Sequence, residues 1–246
     1  MQNFDVFDEH YWQPLKILGL TSSFWNINSK IIIFTWITLL AIFIICLISR
    51  FLILKKPDSV ASFLVISYVK SFYDLINQTL GRFSFQHFTF VTSIFTFILF
   101  CNIISLIPWI EEPTADANTT LALGIIAFMY VQISSIIQNG FYEYVKEYFS
   151  PFFLLFPMNV IGELAKVVSM SFRLFGNIFG GSIISRLWTT AIAGSIIKEL
   201  LGIFTGINLI IVLFFILFEG FIQAFVFSML TLTYLSIAVR HEESHQ

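Results

Sequence analysis

The chain has 246 residues, of which 57% are hydrophobic and only 11% are charged, and its mean hydropathy is +0.87. A soluble domain is about one-quarter charged, so this chain has too few charges to cover a water-soluble particle of its size. Disorder is excluded, because disordered chains are poor in aromatic residues and this one is 18% aromatic. With 13 basic and 15 acidic residues, the chain has no basic excess that would favour a nucleic-acid partner. The composition therefore predicts an all-α polytopic membrane protein.

Five tracts are apolar enough to cross a bilayer, which takes about 20 residues of helix. They cover residues 31–52, 88–110, 118–142, 157–197 and 200–239. Between the first two tracts, residues 60–80 place Lys70 and Asp74 among apolar residues, which is typical of an amphipathic helix in the membrane interface. A helix in a cytoplasmic loop would give the same pattern.

Basic residues in short loops predict the orientation of the chain. The loop after the first span is basic, with Arg50, Lys55, Lys56, Lys70 and Arg82, whereas the next loop is acidic, with Glu111, Glu112 and Asp116. We therefore expect the first loop to face the cytoplasm. Residues 30–240 then form one transmembrane domain, with residues 1–29 outside and the tail 241–246 in the cytoplasm.

The last two tracts are too long for ordinary spans. Residues 157–190 would extend about 51 Å as a helix, whereas the hydrocarbon core is about 30 Å thick. Either each tract is broken, or the two form a strongly tilted helical hairpin. Gly176, Gly180 and Gly181 would let another helix approach closely, although ordinary small-residue packing explains them equally well.

Arg173 lies deep in the fourth tract, where a charge is costly and marks a functional candidate. Residues 169–177 contain no acid, and an arginine does not give up its proton. We therefore expect its partner to come from another helix or another subunit. Neutralisation by a lipid headgroup is the alternative.

Glu219 is the only charged residue between Glu199 and Arg240, and Gln223 follows it on the same helical face. A lone carboxylate in apolar surroundings can load and release a proton near neutral pH. Alternatively, a protonated Glu219 bonds a neighbouring helix and Gln223 serves packing. If the last two tracts form an antiparallel hairpin, Gln223 and Arg173 could face one another.

Other polar residues have weaker interpretations. Glu163 and Lys166 either form a polar opening on the cytoplasmic side or pair with each other. Arg186 is interpreted as reaching the outer interface, and Asp116 and Asn118 either line an outer entrance or cap the third span. The sequence shows no metal-ligand spacing, phosphate loop or nucleophile with its base. We expect no cofactor, no bound nucleotide and no catalytic site of its own.

Three runs resemble subunit a of rotary F-type ATP synthases. The first, from Glu163 to Asn177, ends in Ser-Met-Ser-Phe-Arg-Leu-Phe-Gly-Asn, and the second begins at Gln223 with Gln-Ala-Phe-Val-Phe-Ser. The third begins at Glu112 and reads Glu-Pro-Thr-Ala-Asp-Ala-Asn-Thr-Thr-Leu-Ala-Leu. The resemblance covers most of the chain from about residue 85 to 239.

This resemblance implies a proton-conducting stator subunit with two offset half-channels against a ring of c subunits. Arg173 matches the arginine that faces the ring carboxylate, and Asn177 and Gln223 match polar positions near it. Together with the reasoning from single residues, we expect proton translocation to involve Arg173, Glu219, Gln223, Asn177 and Glu163. The candidates for lining the half-channels are Ser182, Asp116, Asn118, Ser169 and Lys166. The implied partners are the c-ring, the peripheral-stalk b subunits, the F1 sector and membrane lipid.

The chain also departs from the family pattern. Ser182 and Ile216 stand where the family often has a complementary Glu and His, and Asn159 stands where it often has an acid. We expect Glu219 to replace the missing pair, while Glu163 is the acid nearest to Asn159. A stand-alone transporter or a non-conducting scaffold are the rival classes, and the expected location is a bacterial inner membrane or, alternatively, the mitochondrial inner membrane.

Overall fold

The computed structural model describes residues 11–12, 27–107, 110, 112–149, 152–192, 206, 210 and 213–240. The α-helices are α1 Ser29–Lys55, α2 Val60–Leu80, α3 Phe85–Ile103, α4 Ala117–Asn139, α5 Phe141–Tyr148, α6 Phe156–Ile192 and α7 Gly220–Arg240. A π-helical segment, Phe214–Glu219, leads directly into α7. Short 3₁₀ turns occupy Ile104–Leu106, Pro113–Ala115 and Phe153–Leu155, and β1 (Tyr11–Trp12) pairs antiparallel with β2 (Ile27–Asn28).

Five helical stretches are long and apolar enough to cross a membrane. They are Ser29–Lys55, Phe85–Leu106, Ala117–Asn139, Phe153–Ile184 and Phe214–Val239. The predicted all-α polytopic membrane fold is thereby confirmed. Most of the predicted tract between residues 200 and 212 lies outside the described part of the chain.

The helix ends follow from local backbone chemistry. Gly81, with a φ of 72°, ends α2 in the left-handed conformation that glycine adopts without strain. Gly140, with a φ of 79°, follows the last helical residue of the third span, Asn139, which lies three residues before the predicted end at 142. At its other end, the Asp116 side chain accepts a hydrogen bond from the Asn118 backbone N–H and caps α4.

The packed core lies where α7 contacts α3 and α4. Its fully buried members include Ile98 of α3, Leu174 of α6 and Ala224 of α7. Close van der Waals packing of this kind drives helix association in a bilayer, where lipid tails are as apolar as the side chains. By contrast, α1 packs on α2 and α3 and buries only Thr38, so most of its apolar surface faces outward.

Helix α2 agrees with the helix predicted for residues 60–80. It buries Phe72 and Ile76, yet it also exposes the large apolar side chains of Val60, Phe63 and Leu64. An outward face of this composition favours a position in the membrane interface over a loop in water.

Helix α6 is unbroken over 37 residues, from Phe156 to Ile192. Its length is about 55 Å at 1.5 Å per residue, against a hydrocarbon core of about 30 Å. A break within α6 is therefore excluded, and the helix must tilt or extend beyond the core. It packs against α7 and the π-helical segment, while the connection at residues 193–205 lies outside the described residues.

Candidate functional site

Helix α6 carries the predicted polar residues along its length. They are Glu163, Lys166, Ser169, Arg173, Asn177 and Ser182. Measured by helical rise, Glu163 and Ser182 stand about 15 Å and about 14 Å from Arg173, in opposite directions. One rigid element therefore fixes the spacing of all these side chains.

The residues of α6 before Arg173 border a cavity of about 500 Å³ between α4, α5, α6 and α7. We call it the Glu163 cavity. Its polar lining consists of Gln132, Ser135, Tyr144, Tyr148, Asn159, Glu163, Lys166 and Tyr234. Polar groups from four helices thus converge on one space.

Glu163 and Lys166 pair with each other, as one of the two interpretations of the sequence predicts, and a polar opening on the cytoplasmic side stays a prediction. Their side chains form an ion pair one helical turn apart, and both line the Glu163 cavity. The Lys166 ammonium also lies 5.3 Å from the centre of the Tyr234 ring. Asn159 reaches the same cavity, and its side-chain amide donates to the Tyr148 carbonyl at 2.9 Å.

The residues of α6 after Arg173 border a second cavity, of about 260 Å³, which we call the Glu219 cavity. Its polar lining consists of Asn102, Ser105, Glu112, Asn177, Ser182 and Glu219. Ser182 and Ile216, the two positions that depart from the family pattern, both line this space together with Glu219. The acid therefore lies in the same cavity as the two positions it is expected to replace.

Gly181 allows the π-helical segment to approach α6. A Cβ added at Gly181 would lie 2.9 Å from the Phe215 ring and 3.6 Å from Glu219 Oε2. Glu219 is the last residue of the π-helical segment, and such segments occur frequently at functional sites. The glycine and the local π-helix together bring the Glu219 carboxylate against α6.

Asn102, which the sequence analysis did not single out, holds one wall of the Glu219 cavity. It is 2% exposed, donates to the Gly220 carbonyl at 3.1 Å and accepts from the Thr114 hydroxyl at 3.1 Å. It thereby ties α3 to the Pro113–Ala115 turn and to the start of α7. An amide inside an otherwise apolar span was the available signal.

Glu112 is a second acid in the Glu219 cavity, and it was not among the site residues predicted from the sequence. Burial raises the pKa of the Glu112 carboxyl above its ordinary 4.5, and the nearby negative charge of Glu219 raises it further. The Ser105 hydroxyl, which lines the same cavity, donates to the Asn102 carbonyl at 2.7 Å. Two acids from distant parts of the chain thus share one cavity.

Arg173 lies on the open face of α6, and no described residue forms an ion pair with it. On the inner face, Met170 and Leu174 are buried against α7 between the two cavities. Gln223 is also buried there, and no hydrogen bond joins it to Arg173. That Gln223 and Arg173 face one another in the hairpin stays a prediction.

The structure describes the side chains of three further predicted site residues, Asp116, Asn118 and Ser169. Asp116 caps α4 and Asn118 is exposed beside it, and neither lines the Glu219 cavity. Ser169 is exposed on the same open face as Arg173. Arg186 belongs to α6, and its side chain lies outside the described part of the structure.

The geometry defines a polytopic membrane protein with a fixed cation on one long helix, between two polar cavities. The family model described as "ATP synthase A chain" matches residues 32–236. The ATP synthase subunit a of Desulforamulus reducens is 31% identical, over 99% of this chain and 89% of the relative. That of Moorella thermoacetica is 37% identical, over 82% of this chain and 87% of the relative.

A third relative, from Propionigenium modestum, is named "ATP synthase subunit a, sodium ion specific". It is 35% identical, over 69% of this chain and 60% of the relative. The chain therefore belongs to the ATP synthase A chain family, whose members are membrane subunits of the ATP synthase. Their part in ATP synthesis is ion transport.

The Glu112 carboxyl provides a test of the second cavity by pH titration. Water-soluble carbodiimide labels protonated carboxyl groups, so we expect labelling of Glu112 to persist above pH 4.5. Glu219→Gln removes a negative charge near Glu112 and should lower the pKa of the Glu112 carboxyl. Labelling of Glu112 should then be lost at a lower pH.

The labelled peptide is quantified by mass spectrometry in the assembled complex. Glu143, a surface carboxylate paired with Lys146, serves as the reference in the same sample. An unchanged titration of Glu112 in Glu219→Gln would contradict the proximity of the two acids in the Glu219 cavity.

Proposed function

We propose that the chain is the proton-translocating stator subunit of the ATP synthase, with one half-channel in each cavity. Protons pass between the membrane surfaces and a rotating c-ring through the Glu163 cavity on one side and the Glu219 cavity on the other. The observation that carries this proposal is the position of Arg173, on an unbroken helix between the stretches that line the two cavities. Proton flow is thereby coupled to rotation and to ATP synthesis or hydrolysis.

The open face of α6 is suited to a close approach of the ring. Arg173 and Ser169 lie on this face, and added Cβ atoms at Gly176 and Gly180 would have no neighbour within 4 Å. Small residues let a second helix approach the backbone closely. A ring helix in this position brings its carboxylate to the Arg173 guanidinium.

Coulomb attraction explains what the arginine does there. Opposite charges 4 Å apart attract by about 4 kcal/mol at an effective dielectric constant of 20. This energy corresponds to a fall of about three units in the pKa of the ring carboxyl, at 1.36 kcal/mol per unit. Arg173 thus favours release of the arriving proton, and it prevents direct passage between the half-channels because it keeps its own.

The two cavities supply the acids of the proton path. Glu219, with Ser182 beside it in the cavity, takes the role of the Glu and His that the family often has at Ser182 and Ile216. Glu163 takes the corresponding role in the other cavity. In the predicted orientation, the Glu219 cavity opens outside and the Glu163 cavity opens to the cytoplasm.

The partners follow from this role. The open face of α6 contacts the c-ring, and the outward apolar surface of α1 and α2 meets the peripheral-stalk b subunits and lipid. The F1 sector joins through the complex. The relatives come from bacteria and support a location in a bacterial inner membrane. Because one relative is named sodium ion specific, proton coupling is tested by measuring ATP-driven acidification in sodium-free medium.

Arg173→Ala tests the proposal directly. We expect ATP-driven acidification of membrane vesicles to fall to background, because the ring carboxylate loses its counter-charge while the complex still assembles. Arg173→Lys should also be strongly impaired, since a lysine loses its proton when it is desolvated. Arg50→Ala, an arginine of α1, is the matched control. Normal pumping in assembled Arg173→Ala complexes would contradict the proposal.

Glu219→Gln tests the second half-channel. We expect passive proton flux through F1-stripped vesicles to fall by a factor of about 10² to 10⁴, which is what a positioned acid or base contributes. The amide keeps the shape of the side chain, so assembly should be unaffected. Glu143→Gln at the surface is the control. Unchanged flux would show that Glu219 is outside the proton path.

A further inference from the structure

A chain of hydrogen bonds leads from α5 to Glu163. The hydroxyl groups of Tyr148 and Tyr144 are 3.0 Å apart, and the Tyr144 hydroxyl donates to Gln132 Oε1 at 2.9 Å. Gln132 Nε2 in turn donates to Glu163 Oε2 at 3.2 Å. All four side chains line the Glu163 cavity. None of the three partners of Glu163 in this chain was singled out in the sequence.

The donors along this chain have one consistent direction. A carboxylate only accepts, so the amide of Gln132 must turn its NH₂ group to Glu163. Its oxygen then faces Tyr144, and the single proton of that hydroxyl is used to donate to it. Consequently Tyr148 donates to Tyr144. The phenol of Tyr144 therefore decides which end of the amide meets the carboxylate.

The partial burial of Tyr144 supports this role. Tyr144 is half-buried over the cavity, whereas Tyr142, on the same helix, is 78% exposed. On the far side, Lys166 pairs with the other carboxylate oxygen of Glu163, Oε1. Both oxygens of Glu163 are thus held, one by a cation and one by an amide that Tyr144 orients.

We propose that Tyr144 is a positioning residue for the proton path, which acts through Gln132 to hold the Glu163 carboxylate facing the cavity. The inference rests on the proposed function, because it assigns Glu163 to one half-channel. Short helix α5 then serves the half-channel directly and is more than a connection between α4 and α6. Without the phenol, Gln132 is free to turn its oxygen toward Glu163, and the carboxylate loses a donor.

The test compares Tyr144→Phe with Tyr142→Phe in F1-stripped vesicles. We expect passive proton flux to fall about two- to tenfold in Tyr144→Phe, the range that corresponds to one net hydrogen bond. Gln132→Leu should give a similar loss, and the double variant should lose no more than Gln132→Leu alone, because Tyr144 acts through Gln132. Tyr142→Phe should leave flux unchanged at equal assembly.

Infrared spectroscopy gives a readout that a structural role alone would not change. The carboxylate band that Glu163→Gln removes should shift in Tyr144→Phe and stay in place in Tyr142→Phe. Additive flux losses in the double variant, or an unshifted band, would overturn the inference. If Glu163→Gln itself leaves flux unchanged, the proposed role of the Glu163 cavity fails, and that failure is distinct from the loss of the Tyr144 effect alone.

Discussion

Arg173 keeps its positive charge at every pH that a membrane protein meets, and a charge at the centre of a membrane helix costs about 3 kcal/mol even on the lower experimental scales. Arg173 lies on α6, which stays helical through this residue. The described residues supply no acid for it. In the proposed complex the ring carboxylate is the compensating charge.

Two cavities on one helix would conduct ions directly across the membrane if nothing separated them. Met170 and Leu174 pack against α7 at this level and fill the space with apolar side chains. The Glu219 cavity is shaped by the π-helical segment and by Asn102, which holds the start of α7 in place. At the level of Arg173, apolar side chains on the inner face of α6 therefore separate the two cavities, and the positive charge lies on its open face.

The five spans could be predicted because run length and hydropathy act locally, and the Glu163–Lys166 pair because helical neighbours three residues apart must meet. Contacts between distant parts of the chain gave no such signal. Glu112 meets Glu219 only after the loop folds over α6, and Tyr144 meets Gln132 only after α5 folds back on α4. The π-helix also had no marker in the sequence.

The central claim is that the two cavities open to opposite sides of the membrane. Gly162→Cys in one and Ser182→Cys in the other are introduced singly, after alanine replaces Cys46 and Cys101. A charged, membrane-impermeant thiol reagent is then applied to either face of sealed vesicles. The account predicts that each cysteine reacts from one face only, that the two faces differ, and that Leu174→Cys reacts from neither. Reaction of both cavity cysteines from the same face would contradict it.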